Sequence, residues 1–264
     1  MHYSSDEKIT IIVSVLNGVQ TLERCIESII SQTYKSKELI IIDGLSHDGS
    51  LDIIKKYSKD ISYWISEPDT GIYSAWNKAL RKATGSWICF LGCDDYWSSS
   101  TSLAELAEYA CYPQFNFVSG KMYLVSAESD NDEYNSFPLV GKILNCRRLH
   151  YGIRIAHVGA LHHHSLFETH GFFDESYKIA GDYEFFARAC SSIRPGFVSK
   201  GVICMGNNGL SQSSLKLTIE ESCRALRSSK NFSLFTATQF YIISYLAYFK
   251  KLLMSVMKKY ESRI

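Results

Sequence analysis

Two adjacent carboxylates, Asp94 and Asp95, follow a hydrophobic run in Phe90-Leu-Gly-Cys-Asp-Asp-Tyr-Trp97. In a loop at a strand end, such a pair can hold one hard divalent cation, which prefers oxygen ligands. Mg²⁺ or Mn²⁺ there would bridge a diphosphate and offset the charge that develops as it leaves. The same two residues also suit a plain chain reversal, where aspartate is common. Asp43, closing Glu38-Leu-Ile-Ile-Ile-Asp43, and Asp182, at the head of a helical pattern over residues 182–190, are further candidate carboxylates. For Asp182 the simplest role is a helix N-terminal carboxylate favoured by the helix dipole. Six of the eight histidines fall between His150 and His170, including His162, His163 and His164. Such clustering suggests a metal site, yet no HExxH run and no paired cysteines accompany it. On a strand, His162 and His164 share one face and His163 points to the other. Tyr73, Trp76, Tyr96 and Trp97 carry rings that suit stacking on a base or sugar, or packing in a core.

These side chains need a frame, and the first hundred residues supply a regular one. Residues 9–16 (ITIIVSVL) are a β-branched run of the kind buried on both faces of a sheet. After Asn17 and Gly18, Thr21 is the expected N-cap of a helix whose Leu22, Ile26, Ile29 and Ile30 form one apolar stripe. Strands are expected at 38–43, 61–66 and 87–91, with helices at 51–57 and 72–83. Alternation at this spacing implies βαβ units and a mostly parallel α/β sheet flanked by helices, in which ligands bind at the carboxyl ends of the strands. Asp43 and the Asp94-Asp95 pair stand at two such ends. Further on, the pattern suggests a helix at 101–111, a strand at 115–125, an acidic loop at 126–136, strand, helix and strand at 161–167, 182–190 and 197–204, and a helix at 215–229.

Along this frame runs an ordered set of motifs: Ser28-Ile-Ile-Ser-Gln-Thr-Tyr34, Leu39-Ile-Ile-Ile-Asp-Gly44, Asp48-Gly-Ser50, Glu67-Pro-Asp-Thr-Gly-Ile-Tyr73, Ala83-Thr-Gly-Ser-Trp87 and the Asp94-Asp95 run. Together they resemble the nucleotide-binding half of glycosyltransferase family 2, especially its bacterial polysaccharide and O-antigen enzymes. A weaker likeness continues through His163-His-Ser-Leu-Phe167, Gly171-Phe-Phe-Asp174, Ala180-Gly-Asp-Tyr-Glu184 and Gly209-Leu-Ser211. The resemblance implies a GT-A fold and transfer of a sugar from a nucleotide-sugar donor to a glycan or polyprenyl-linked acceptor. It places Asn17 in the first nucleotide-binding loop, Asp43 at the nucleobase, Asp94 at the ribose and Asp95 on the metal, Mn²⁺ or Mg²⁺. It makes Asp182 the catalytic base and matches a stretch near the acceptor at His163, which leaves His163 and His164 as candidates for acceptor contact or for packing. One base, with a metal to neutralise the leaving diphosphate, implies displacement with inversion. Gly181 stands where many members carry Glu, and Ser74 where an acidic residue is common; a catalytically silent sugar-nucleotide-binding or scaffold subunit of the same fold is the alternative they suggest. The Gln-x-x-Arg-Trp run of processive members is absent, so a single sugar is expected per event.

Composition bounds the rest. The chain has 264 residues, 46% hydrophobic, with 28 basic and 27 acidic side chains, which suits a sizeable core and excludes disorder. A net charge of +1 speaks against a nucleic-acid binder, and no Gly-rich dinucleotide or P-loop motif occurs. The charge is unevenly divided: residues 230–264 carry +5 and the preceding body −4. Within that tail, residues 232–249 hold no formal charge and 13 of the 18 are apolar. Eighteen uncharged residues reach the lower limit of a membrane span. Scattered Ser, Thr and Gln and three tyrosines favour instead an amphipathic helix lying on an anionic membrane surface, with a helix packed on the catalytic domain as the next alternative. The expected layout is a GT-A domain over 1–229, with a nucleotide-binding half at 8–98 and an acceptor half at 99–215, followed by a helical membrane-association tail over 230–264. Eight unpaired cysteines and a polar start leading straight into a strand give the expectation of no signal peptide and a cytoplasmic protein, peripheral on the cytoplasmic face of the inner membrane.

Overall fold

In the computed structural model the described residues are 7–125, 139–145, 148–149, 157–206 and 214–261. The β-branched opening run forms β1 (Ile9–Val15), and α1 (Leu22–Ile30), β2 (Lys37–Asp43), α2 (Ser50–Lys56), β3 (Tyr63–Ser66), α3 (Ile72–Leu80) and β4 (Trp87–Gly92) follow in strict alternation. Next come β5 (Tyr96–Trp97), α4 (Ser102–Ala110), β6 (Phe117–Val125), β7 (Leu139–Val140), β8 (Leu161–His163), α5 (Ser165–His170), α6 (Gly181–Ala189), β9 (Pro195–Gly206), α7 (Leu215–Ser228) and α8 (Leu234–Glu261). The acidic loop expected at 126–136 and the Gly209-Leu-Ser211 motif lie outside the described residues.

All the strands join one sheet in the order β3-β2-β1-β4-β8-β6-β9-β5, with β7 paired to β6. The longer strands β1, β2, β3, β4, β6 and β9 point the same way, and only the short β5, β7 and β8 run against them. The sheet is therefore mostly parallel. Side chains of β1 alternate between two cores: Ile9, Ile11, Val13 and Val15 pack with Leu22, Ile26, Leu103 and Leu106 of α1 and α4. Ile12 joins Ile40, Ile42, Ile88 and Phe90 against α3 and α6 on the other face. Burial on both faces explains why these strands read as unbroken apolar runs.

At the amino ends of the strands Glu38 ties three segments together. Its carboxylate accepts hydrogen bonds from Thr10 Oγ1 (2.5 Å), Thr84 N–H (2.7 Å) and Thr84 Oγ1 (2.8 Å), and pairs with Lys8 Nζ at 2.6 Å. Burial works to raise its pKa, but these partners outweigh it and bring the group to about 2.

Two local expectations are corrected. Thr21 occupies the N-cap of α1, but its side chain makes no capping bond. The strand expected over 161–167 ends at His163, because His164 turns into the helical region (φ −54°, ψ −35°) and α5 begins at Ser165. The His163 ring nitrogen Nδ1 fixes this turn by bonding Ser165 Oγ at 2.8 Å. The tail is anchored at its start: Ala237 and Phe240 of α8 are buried in the α3–α6 core. No helix among the described residues is long and apolar enough to cross a membrane.

Candidate functional site

Loops at the carboxyl ends of β1, β2 and β4 are laced to one another. Asn17 takes a left-handed conformation (φ 53°), which Asn tolerates better than most residues. There its N–H donates to Ser46 Oγ (2.8 Å) while its Oδ1 accepts from the His47 N–H (3.0 Å). Gly18 N–H donates to Ser50 Oγ (2.9 Å), and Val19 N–H to Asp48 Oδ2 (2.9 Å). A Cβ on Gly18 would stand 2.6 Å from Cys93 Sγ, so glycine is what lets the first loop close against the β4 turn. Asp43 is fully buried, and its oxygens accept from Ser46 Oγ and Ser66 Oγ, each at 2.5 Å, and from the Ser46 N–H. It thereby fixes the loop that Asn17 also holds.

Asp94 and Asp95 form the turn between β4 and β5. Asp95 is 4% exposed; its Oδ2 accepts the Gly92 N–H at 2.7 Å and its Oδ1 the Gly206 N–H at 3.3 Å. Asp94 lies alongside, with a Cβ on Gly206 falling 2.7 Å from its Oδ2. Burial, and then the neighbouring Asp94, hold the Asp95 pKa well above the ordinary range, with the two amides and Arg24 opposing. Arg24 is stacked over the Tyr96 ring at 4.2 Å. A crowded pair of carboxylates with so little compensation fits a divalent cation, whose charge would relieve it. Among the described residues no cluster of three or more His, Cys, Asp or Glu side chains forms a closed cage. Two carboxylates with further oxygens from a diphosphate and water are the usual set for Mg²⁺.

Asp182 is in the first turn of α6, where the helix dipole favours a carboxylate. Its Oδ1 accepts the Tyr183 N–H at 2.7 Å, and the Tyr73 hydroxyl stands 3.4 Å away, donating to the Ile179 carbonyl oxygen at 2.6 Å. Burial raises Asp182 to about 6, with the Tyr183 and Tyr73 contacts pulling the other way. Tyr73 opens α3, which follows β3, so its contact brings Asp182 to the same end of the sheet as Asp43 and the Asp94-Asp95 pair. The space beside Gly181 is filled: a Cβ there would lie 2.7–2.8 Å from three carbons of the Tyr73 ring.

The histidines do not join this group. Because β8 runs antiparallel to β4, His163 pairs with Trp87, at the amino end of β4. Its ring meets Trp87 edge-on at 5.1 Å, and His164 Nδ1 lies 3.3 Å from the Gly85 carbonyl oxygen. Trp87 and Asp94 are separated by most of a strand, roughly 20 Å. That placement does not support the acceptor contact expected of His163 and His164. His162 and His157 sit in an aromatic cluster with Phe90 and Phe186, where burial lowers His157 to about 3 and His162 well below its usual value. Tyr73, Trp76, Tyr96 and Trp97 are 3–6% exposed and belong to the cores, leaving no face free for stacking. What the sequence did not show is the Gly206 amide, 111 residues from Asp95, which no local spacing connects to it.

A sheet wound in this order, with adjacent aspartates closing β4 at the ligand-binding edge, is the GT-A fold of sugar-nucleotide transferases. The chain belongs to glycosyltransferase family 2: the family described as "Glycosyl transferase family 2" matches residues 10–176. It is 29% identical over 195 residues to a PGL/p-HBAD biosynthesis glycosyltransferase of Mycobacterium tuberculosis, covering 72% of each chain. Over 92 residues it is 40% identical to the Escherichia coli UDP-Glc:alpha-D-GlcNAc-diphosphoundecaprenol beta-1,3-glucosyltransferase WfaP, covering 34% of this chain and 37% of that one. Among solved structures, S. aureus TarS 1-349 with UDP-GlcNAc superposes with a TM-score of 0.67 at 19% identity, covering 89% of this chain and 70% of that one. The mannosyltransferase PcManGT from Pyrobaculum calidifontis, in complex with GDP-Man and Mn2+, gives 0.61 at 18% identity, covering 97% and 82%. The chain spans 42% of the longer TarS chain.

Proposed function

We propose that this glycosyltransferase moves a single sugar, with inversion, from a nucleotide-sugar donor to a hydroxyl of a glycan acceptor carried on a polyprenyl diphosphate, in bacterial surface-polysaccharide synthesis. The observation that carries the reading is that a second, separate carboxylate, Asp182, raised to about 6, stands at the same end of the sheet as the Asp94-Asp95 pair. At neutral pH Asp182 is ionised yet more basic than an ordinary aspartate, which suits removal of a proton from an acceptor hydroxyl. Asp95, with Asp94 beside it, would hold Mn²⁺ or Mg²⁺, which when bound supplies positive charge to the departing diphosphate. Asn17 and Asp43 shape the nucleotide crevice by fixing the loop at Ser46. With a base on the acceptor side and no general acid required, a single displacement inverts the anomeric centre.

The acceptor in the name of the Escherichia coli relative, an alpha-D-GlcNAc-diphosphoundecaprenol, supports a lipid-linked acceptor here. So does α8. Phe235, Ile242, Leu246, Phe249, Leu253 and Met257 are 53–70% exposed, and their spacing puts them on one face, opposite buried Ala237 and Phe240. An apolar stripe with Lys250 beside it suits an interfacial helix on the anionic cytoplasmic face of the inner membrane. The silent-scaffold alternative gains nothing from Gly181, because Tyr73 occupies the space a larger side chain would need. The test is a thermal-shift panel of UDP-glucose, UDP-galactose, UDP-GlcNAc and GDP-mannose with and without Mn²⁺, followed by turnover of the stabilising donor. Asp95→Ala and Asp182→Ala are each expected to abolish transfer; retention of activity by both would refute these roles.

A further inference from the structure

Three successive backbone amides precede the base, and one buried side chain takes all three. Glu221 Oε1 accepts the Lys178 N–H at 2.8 Å, and Oε2 accepts the Ile179 and Ala180 N–H groups, both at 2.9 Å. The side chain comes from α7, is 6% exposed and makes no ion pair among the described residues. Burying a lone carboxylate is costly unless charge-assisted hydrogen bonds replace its water, and these amides are that replacement. The segment they belong to is also held from the opposite side. The Ile179 carbonyl accepts the Tyr73 hydroxyl, and Lys178 Nζ donates to the Thr70 carbonyl at 2.9 Å. Gly181 and Asp182 follow immediately. With the backbone of 178–180 fixed between α7 and α3, the Asp182 carboxylate has a defined origin and direction.

We propose that Glu221 is the positioning residue for the base: its clamp on residues 178–180 sets where the Asp182 carboxylate stands relative to the acceptor hydroxyl. This rests on the reading of Asp182 as base. It also gives α7 a part in the reaction, although α7 lies beyond the family match, which ends at residue 176. The groups facing Asp182 are the Tyr73 hydroxyl and, further off, the Glu221 charge, which itself helps keep Asp182 protonatable.

The experiment compares the full chain with E221A, E221Q and D182N. It follows nucleoside diphosphate release from whichever of the four sugar nucleotides above the unmodified chain consumes, together with amide hydrogen exchange over residues 174–186. Displacing a catalytic group by about 1 Å costs about 100-fold in rate. E221A is therefore expected to lower kcat by roughly 10–100-fold with the donor KM unchanged, and to speed exchange at 178–180. E221Q, which keeps one acceptor oxygen and removes the charge, should fall between the two and move the acid limb of the rate profile to lower pH. If E221A does not fold, E221Q carries the same test. A folded Glu221 variant with unchanged kcat and unchanged exchange overturns the proposal. Activity retained in D182N would overturn the base assignment instead, whatever Glu221 does.

Discussion

Replacing Asp182 by Asn should remove activity and at the same time make the fold more stable. The ordinary pKa of the group is 3.8, and burial lifts it to about 6. Each tenfold change in proton affinity corresponds to about 1.4 kcal/mol, so keeping Asp182 ionised above pH 6 costs the native state about 3 kcal/mol relative to the unfolded chain. Below pH 3.8 the group is protonated in both states and costs nothing; the penalty grows between 3.8 and 6 and is complete above that. Asparagine has nearly the same shape and can still accept the Tyr183 N–H and face Tyr73, but it carries no charge. Its amide retains part of the burial cost, leaving an expected gain of about 1.5 kcal/mol, or roughly 3–6 °C in Tm at pH 8. Scanning calorimetry of both proteins from pH 5 to pH 8, without nucleotide or metal, measures it. The gain should shrink steadily toward pH 5. A D182N protein less stable than its parent at pH 8, or a difference that does not vary with pH, would refute the account of Asp182 as a desolvated carboxylate.

Adding a methyl group at Gly181 forces the buried Tyr73 ring aside, so G181A should lose roughly 1–3 kcal/mol of stability and lower kcat with it; unchanged melting would mean the ring relaxes freely. Glu38 has the opposite sign to Asp182: its folded pKa is depressed to about 2, so its contribution is full above about 4.5 and is lost as pH falls toward 2. E38Q should therefore lower Tm at pH 7 by about 4–8 °C, corresponding to about 2 kcal/mol once the exposed partner Lys8 is discounted, while leaving turnover per folded molecule intact. Calorimetry at pH 7 and pH 3 checks both the size of the effect and its decline, which at pH 3 should be partial. On α8, L246E/F249E should cut co-sedimentation with anionic vesicles at least about tenfold, since each apolar side chain transferred from water contributes about 1.5–3 kcal/mol; equal binding would remove that helix face from consideration.

The first hundred residues were legible because their strands are buried on both faces and their helices carry single apolar stripes. Both patterns are local, so β1 to β4 and α1 to α3 stand within a few residues of where the sequence places them. Long-range pairing was not legible. Tyr96 and Trp97 become a strand only because they meet Cys204 and Ile203 of β9, and nothing around them signals that. The position of the histidine run was not legible for the same reason: its residue types left metal binding, acceptor contact and packing open, and only its antiparallel register on β4 sets it at the far end of the sheet. Asp94, Asp95 and Asp182 could be picked out individually. Their shared location depended on a tyrosine, Tyr73, whose hydroxyl turned out to matter more than its ring. Glu221 was invisible because its three partners are backbone groups 41–43 residues away.

The knot around Glu38 makes the two ends of the sheet unlike each other. At one end Thr10 of β1, Glu38 of β2 and Thr84 ahead of β4 are fastened together, so the alignment of these strands is set before any loop at the opposite end contributes. Those opposite loops are laced to one another through Ser46, Asp48 and Ser50, and a change at positions outside these bonds does not slide one strand against another. The assembly of the sheet in this way rests on one of its ends and the candidate site on the other. Grafting residues 44–50 from a relative with a different donor should change which nucleotide is accepted while the sheet assembles as before.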